Sequence, residues 1–442
     1  MHFLRQLLGL TPPEDEQRSL LIAFWRSTVG VFVALRLADV LNAITGLWVI
    51  PSKLPQETLG AVLPLLQAGA VLAIPISIFA MVFTRHLCAY AVAGDTVRTR
   101  GLLRDAVVGM CIVFLLAFAI TSAILPWLCA VLRIPLSAAG YWTIAYGLLA
   151  AFTPMAWSAL QALRKFGAIS GGALLAAPIR LAAMFLLLPT LGLSGYFIGQ
   201  SLPLLIILSV SLWALRPLLK GSHTAPFFAW RNELKSMASY AGFIALGALA
   251  AALQGAVITF VIRNRLTDDT SGAYYLISRF AEIATYCGTT FATVLFPFAL
   301  EARLKGYSSR AFRSGVIGFV LLTGGLLAIV LYWILPWFFT LLPTFESYSG
   351  YAPQAAYLTV ITTLNAASTL HFTHAAADDR FSYLWFTLPC ALLLSVGLLF
   401  LPNPTLQTIL HLLCGAAVFQ FIGCLWHGAI CGSPRPAMSS EP

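Results

Sequence analysis

Twelve apolar runs follow one another along the 442 residues of this chain, with only short polar segments between them. Each run has about 20 residues or more, the length that a helix needs to cross a bilayer. Only 10% of the residues are charged, against roughly 25% in soluble domains, so a soluble fold is excluded. Because a lipid interior offers no water to backbone groups, every run is predicted to be a helix. The predicted helices occupy residues 21–49, 58–83, 106–131, 138–160, 167–189, 192–215, 237–262, 272–300, 314–342, 351–373, 381–401 and 404–430.

The positive charges predict how these helices cross the membrane. If the N-terminus is cytoplasmic, eighteen Lys and Arg residues fall in cytoplasmic segments and four in outer segments. Positive residues are enriched on the cytoplasmic side of membrane proteins, so both termini are predicted to be cytoplasmic. The net charge of +10 therefore reflects orientation in the phospholipid bilayer, and nucleic acid is not an expected partner.

Short sequence matches indicate that the two halves of the chain are repeats. The matched segments are TLGA 58–61 with TSGA 270–273, AGD 93–95 with KGY 305–307, LLRDAVVG 102–109 with AFRSGVIG 311–318, and ILPW 124–127 with ILPW 334–337. Their offsets stay between 209 and 212 residues. Each copy holds six predicted helices, so both copies enter from the same side and are related by a parallel pseudo-two-fold axis.

The predicted organisation is therefore two six-helix lobes, with a substrate site in the cleft between them and alternating access by rocking. The predicted segments are an interfacial cytoplasmic segment 1–20, an N-lobe 21–215, a cytoplasmic connector 216–236, a C-lobe 237–430 and a cytoplasmic tail 431–442.

Several of these segments carry a family resemblance. The quoted stretches are TLGAVLPLLQ 58–67, TRHLCAYAVAGD 84–95, LLRDAVVG 102–109, ALQALRKFGAIS 159–170 and LGLSGYFIGQ 191–200. Together they resemble the polysaccharide-transporter branch of the multidrug/oligosaccharidyl-lipid/polysaccharide (MOP) exporter superfamily. The resemblance implies a fold like that of the multidrug and toxin extrusion (MATE) transporters. It also implies an undecaprenyl-diphosphate-linked oligosaccharide as substrate, a place in the bacterial inner membrane, and polymerases or glycosyltransferases as neighbouring partners.

Charged side chains inside the predicted helices are the candidate site residues, because a charge there costs on the order of 2.5–3.5 kcal/mol. The four arginines are Arg26, Arg36, Arg180 and Arg279. Asp39 and Glu282 each lie three residues after one of these arginines, a spacing that allows contact on one helix face. Two arginines remain in excess, and the guanidinium fork matches phosphate oxygens, so an anionic substrate is predicted.

Each of these charges also has a structural interpretation. Arg26 can snorkel to the headgroups, and the two arginine–acid pairs can be neutralised structural pairs. Arg180 has no acid within four residues, so it is predicted to face a hydrated cavity. If the protein is a flippase that moves this lipid-linked oligosaccharide from the cytoplasmic to the outer leaflet, Arg26 is predicted to meet the diphosphate on entry. Arg36 and Arg180 then hold it midway, and Arg279 receives it near the exit.

Uncharged polar residues in the runs either line the cleft or form interhelical hydrogen bonds. They are Asn42, Gln67, Gln254 and Asn365. Asp39 is the candidate for ion coupling, with Na⁺ and H⁺ both left open, and no other cofactor and no metal is predicted. The chain has no Walker A segment and no long polar loop for catalysis, so an enzyme is not expected.

Two other functions remain open from the sequence. A MATE-type multidrug or cation antiporter would need unpaired acids in its cavity, and helices 7, 10, 11 and 12 offer none. A membrane subunit that scaffolds a polysaccharide synthase without transporting anything is the other alternative.

Overall fold

A computed structural model describes residues 15–53, 76, 78–131, 138–220, 226, 227, 229, 234–305, 307–341 and 349–430. All the long elements in this part of the chain are helices. They are α1 Asp15–Ile44, α2 Ile78–Val92, α3 Thr96–Val131, α4 Ala138–Ala162, α5 Phe166–Leu219, α6 Leu234–Arg265, α7 Asp268–Leu304, α8 Arg310–Leu341, α9 Ala352–Ala377, α10 Leu384–Phe400 and α11 Leu406–Ile430. After α1 the chain continues through one wide π turn, Thr45–Val49, into a short helical turn, Ile50–Lys53.

These helices confirm the prediction of an all-helical membrane protein. Eight of the described helices are long and apolar enough to cross a membrane, which identifies a multi-pass membrane protein. Every predicted run has a described helix or half-helix at its position except the run 58–83, most of which lies outside the described residues. The full count of twelve therefore stays a prediction.

The chain divides into two compact units, and the division falls inside α1. The N-unit comprises Arg26–Ala241, and the C-unit comprises Gly242–Pro442 together with the chain up to Trp25. Phe24 explains why the start of α1 belongs to the C-unit. Its fully buried ring packs 5.5 Å from the ring of Phe298 and 5.0 Å from that of Phe312. The predicted lobe boundaries remain predictions.

Within the N-unit, α5 is a helical hairpin rather than one straight rod. Gly192 has a left-handed backbone, with φ +52° and ψ −126°, which glycine adopts at little cost. Beyond it the chain returns along the first arm, so that Gly199 lies against Met184 and Gly195 lies against the backbone of Leu187. The two arms coincide with the predicted runs 167–189 and 192–215.

Replacing Gly195 by alanine should destabilise this hairpin. A Cβ atom at this position would lie 2.2 Å from the carbonyl oxygen of Leu187, so the two arms would have to separate. We expect the free energy of unfolding to fall by about 1–3 kcal/mol, measured as a lower thermal midpoint in detergent. Gly171→Ala is the matched control, because nothing lies within 4 Å of its Cβ position. An equal midpoint for the two variants would contradict the close approach at Gly195.

Three turns that follow α2, α4 and α9 share one backbone hydrogen-bond pattern. The residue at the centre of each turn is left-handed: Gly94 at φ +71°, and Arg164 and Asp379 both at φ +54°. In each turn the N–H of the residue that follows this central one donates to the carbonyl five positions before it, as in a Schellman motif. These bonds are Asp95 N to Tyr90 O at 3.0 Å, Lys165 N to Leu160 O at 2.8 Å and Arg380 N to Ala375 O at 2.8 Å.

The same turns extend the internal repeat into regions where the sequences of the halves diverge. The segment AGD 93–95 was matched to KGY 305–307, and the N–H of Tyr307 donates to the carbonyl of Ala302 at 2.7 Å in the same pattern. The turn centres Arg164 and Asp379 are 215 positions apart. Corresponding helices of the two halves therefore end in the same way.

The histidines near the end of α9 make hydrogen bonds within the C-unit. His371 Nε2 and His427 Nδ1 share a hydrogen bond at 2.9 Å, and Ser382 Oγ lies 2.7 Å from His427 Nε2. His374 Nε2 lies 2.8 Å from Ser309 Oγ. The first two bonds link α9 to α11 and α11 to the turn that follows α9. The third links α9 to Ser309, the residue that precedes α8. These bonds account for the polar side chains that the sequence places at this helix end.

Candidate functional site

Arg36 and Asp39 of α1 form an ion pair inside the N-unit. Arg36 Nη2 lies 3.0 Å from Asp39 Oδ2, and the two side chains are 22% and 30% exposed. The Arg36 guanidinium also lies 5.4 Å from the centre of the Phe32 ring, which precedes it by one helical turn. The predicted contact on one helix face is therefore present.

Arg180 of α5 joins this pair through an amide instead of a carboxylate. Its Nη1 donates a hydrogen bond of 3.0 Å to Oδ1 of Asn42, and the Asn42 side chain also hydrogen-bonds Asp39. Nε of Arg180 is buried and has no hydrogen-bond partner in the part of the chain that the structure describes. The four side chains form a continuous polar network, Arg36–Asp39–Asn42–Arg180.

Small residues explain why α1 and α5 bring these groups together. Ala38 of α1 is buried against Ala173 and Ala177 of α5, and alanine lets two helix backbones approach closely. Asn42 follows Ala38 by four residues and Arg180 follows Ala177 by three, so both lie one turn further along the same seam. The polar network therefore continues an alanine-lined helix contact.

The network carries a net positive charge. The carboxylate of Asp39 balances one arginine, and Asn42 is neutral, so the second guanidinium is not balanced by an acid within the network. A guanidinium that is not balanced by an acid can bind an anionic oxygen. This arrangement can hold a phosphate group.

A second polar cluster lies on α7 of the C-unit. Arg279 Nη1 lies 2.9 Å from Oε2 and 3.2 Å from Oε1 of Glu282, so this predicted contact is also present. The hydroxyl of Tyr286 donates to Oε2 of Glu282 at 3.3 Å. Both charged side chains are about one-third exposed, at 36% and 34%.

Tyr286 was missed by the sequence analysis, which considered only charges and amides. Its spacing could have identified it, because a residue four positions after Glu282 lies on the same helix face. No comparable signal could have paired Arg180 with Asn42, which are 138 positions apart.

The structure describes three of the remaining predicted site residues. Arg26 is exposed, ten residues and about 15 Å along α1 from Arg36. Gln254 is half-buried on α6, and Asn365 is exposed on α9. Gln67 lies outside the described residues.

The overall fold has counterparts among solved structures. No family model matches the sequence, and no curated protein sequence matches it. A mutant of the Vibrio cholerae MATE transporter VcmN superposes with a TM-score of 0.71 at 16% identity, over 94% of this chain and 97% of that one. An outward-facing multidrug resistance MATE family transporter of the MOP superfamily has a TM-score of 0.70 at 13% identity, over 94% and 96% of the two chains.

A third similar structure is a MOP superfamily transporter from Pyrococcus furiosus. Its TM-score is 0.68 at 13% identity, over 92% of this chain and 95% of that one, and its binding pocket is described as having reverse polarity, which suggests a different function. The fold of the present chain is therefore that of the MATE transporters of the MOP superfamily, as the resemblance implied.

Proposed function

We propose that this chain is a transporter that moves a lipid-diphosphate-linked oligosaccharide across the bacterial inner membrane by alternating access. The observation that carries the proposal is the Arg180 guanidinium, which is held by the neutral Asn42 and not by an acid. A positive group in a membrane protein interior attracts an anionic headgroup and repels a cation. The MATE fold supports a transport function, and both termini are proposed to be cytoplasmic.

The arginines are proposed to act in sequence along the path of the diphosphate. Arg26 meets it at the cytoplasmic entry, Arg36 and Arg180 bind it in the N-unit, and Arg279 receives it near the outer side. Asp39 is proposed to couple the cycle to H⁺ or Na⁺, because binding of the diphosphate to Arg36 would release its carboxylate partner. The sugar chain and its lipid carrier are the proposed substrate, with polymerases or glycosyltransferases as proposed partners.

A MATE-type multidrug or cation antiporter is the second candidate. It is favoured by the fold, since one of the similar structures is a multidrug resistance transporter. Against it, both Asp39 and Glu282 are paired with arginines, so neither offers an unbalanced negative charge to a cation. The Pyrococcus furiosus structure, with its pocket of reverse polarity, supports the idea that this fold can serve different substrates.

Reconstitution into vesicles tests the proposal. A fluorescent undecaprenyl-diphosphate-linked disaccharide is incorporated, and its movement between leaflets is followed by quenching from outside. We expect the fraction of this lipid that the outside quencher reaches to rise faster in vesicles with the protein than in empty vesicles. A fluorescent phosphatidylcholine should show no such acceleration.

Two outcomes would contradict the lipid-flippase proposal. Efflux of a cationic dye without movement of the diphosphate lipid would favour the antiporter. No movement of either probe, together with co-purification of a polysaccharide synthase, would favour a scaffolding subunit.

A further inference from the structure

The exposed surfaces of the C-unit helices differ in polarity. Over the central turns of α8, α10 and α11 the exposed large side chains are hydrocarbon or aromatic. Examples are Leu322, Leu326, Ile329, Leu393, Phe419 and Ile422. Over the central turns of α7 and α9 the described exposed side chains are mostly polar. They are Tyr286, Thr289, Asn365 and Thr369, with Ile283 and Val360 as the apolar exceptions.

The polar residues of α7 form one line. Glu282, Tyr286, Thr289 and Thr293 are spaced by four, three and four residues, which places them on one helix face. Eleven residues separate the first from the last, which corresponds to about 16 Å of helix. The line therefore runs through the middle of α7, away from both ends.

Polar residues of α9 lie beside this line of α7 residues. A Cβ atom on Gly288 would lie 2.8 Å from the Cβ of Ala366, so the two backbones are in close contact at this level. Thr289 follows this glycine and Asn365 precedes this alanine, and Thr369 lies one turn further along α9. We name the surface formed by Glu282, Tyr286, Thr289, Thr293, Asn365 and Thr369 the polar track.

The hydroxyl groups of the polar track are set up as acceptors. Thr289 Oγ1 donates to Tyr286 O at 3.1 Å, Thr293 Oγ1 to Thr289 O at 2.9 Å, and Thr369 Oγ1 to Asn365 O at 2.9 Å. Each hydroxyl has thereby used its single donor and keeps acceptor capacity. A ligand with many hydroxyl donors matches such a surface.

The amide and aromatic groups of the polar track add to this match. The Asn365 side chain is exposed, so its amide can both donate hydrogen bonds to a ligand and accept them from it. Tyr286 offers the edge of an apolar ring. The nearby Arg279 is paired with Glu282, so its charge is balanced until a phosphate displaces that carboxylate.

We propose that the polar track binds the sugar part of the substrate, a polyhydroxylated ligand. This inference rests on the proposed function. An exposed amide such as that of Asn365, in the middle of a helix in a membrane protein, would be costly against lipid, which supports a hydrated face.

The test compares four lipids on the purified full chain. Binding of undecaprenyl diphosphate is measured alone and with attached disaccharides that end in glucose, galactose or N-acetylglucosamine. We expect at least one disaccharide to tighten binding by about tenfold. The double variant Thr289→Val with Asn365→Leu should lose this gain and retain the affinity for undecaprenyl diphosphate.

Controls separate loss of the polar track from loss of the fold. Thr340→Val removes another exposed hydroxyl of the C-unit, on α8, whose Oγ1 also donates to a backbone carbonyl, that of Trp337, at 2.8 Å. It should keep the sugar-dependent gain, as should Thr289→Ser. A variant that melts earlier than the parent is replaced by the single substitution Asn365→Leu.

The outcomes distinguish the inference from the proposed function. If undecaprenyl diphosphate binds but no disaccharide tightens it, or if the double variant keeps the gain, the polar track does not bind sugar. If undecaprenyl diphosphate itself does not bind, the proposed function is overturned, and this inference with it.

Discussion

Replacing Arg180 by glutamine is expected to weaken binding of undecaprenyl diphosphate by about 10- to 100-fold, the range expected for losing one charged hydrogen-bonding group. Glutamine removes the unbalanced charge and keeps a polar amide beside the α1–α5 contact. Movement of the lipid-linked disaccharide between vesicle leaflets should fall to the rate of empty vesicles. Both quantities are measured on protein whose thermal midpoint matches the parent.

The neutral partner of Arg180 provides an independent check of the same idea. Asn42→Asp keeps the size of the side chain but supplies a carboxylate for Arg180, which should neutralise the network and lower the affinity for the diphosphate. Arg98→Gln is the matched control, because it removes an arginine whose side chain is 60% exposed and paired with Asp95. Normal lipid movement by Arg180→Gln would remove Arg180 from the binding site.

Replacing Asp39 by asparagine should abolish the response of transport to an ion gradient. The variant keeps a polar side chain of the same shape, but it can neither take up a proton nor carry the negative charge that pairs with Arg36. Lipid movement is measured in vesicles with an imposed pH gradient, a Na⁺ gradient or neither. We expect the parent to respond to one of the two gradients and Asp39→Asn to give the same rate in all three.

Glu282→Gln is the comparison for this experiment. It breaks the corresponding pair with Arg279 in the C-unit, and should leave the gradient response intact. A gradient response in Asp39→Asn equal to that of the parent would exclude Asp39 as the coupling group.

Helix periodicity explains which parts of the site were predictable. Arg36 with Asp39 and Arg279 with Glu282 are separated by three residues, so their contacts followed from the geometry of a single helix. The partner of Arg180 could not be predicted in this way, because it lies on another helix and not within one turn of Arg180. Its contact with Asn42 depends on the alanine seam between α1 and α5, which is a tertiary arrangement.

The fold was predictable to a similar degree. Apolar runs define helices in a membrane because the backbone has no alternative there, and the resemblance supplied the architecture. The break at Gly192 was expected between two runs, but the tight return of the hairpin depends on Gly195 meeting the backbone of Leu187. The polar track was not foreseen, because threonine occurs in many membrane helices and becomes informative only when exposure is known.

The four turns share a hydrogen bond between backbone groups, and this has a consequence for how such a chain can diverge. Substitutions at these corners can keep the shared bond, although side chains also contribute after α9, where Arg303 Nη1 donates to Ala377 O and to Asp379 Oδ2. The sequence similarity between two repeats can then be lost while their backbone geometry is kept. Arg164, Lys165 and Arg380 add positive charge at these turns while making contacts of their own, such as the bond from Lys165 Nζ to the carbonyl of Ala214. Charges of this kind bias the orientation in which a membrane protein is inserted.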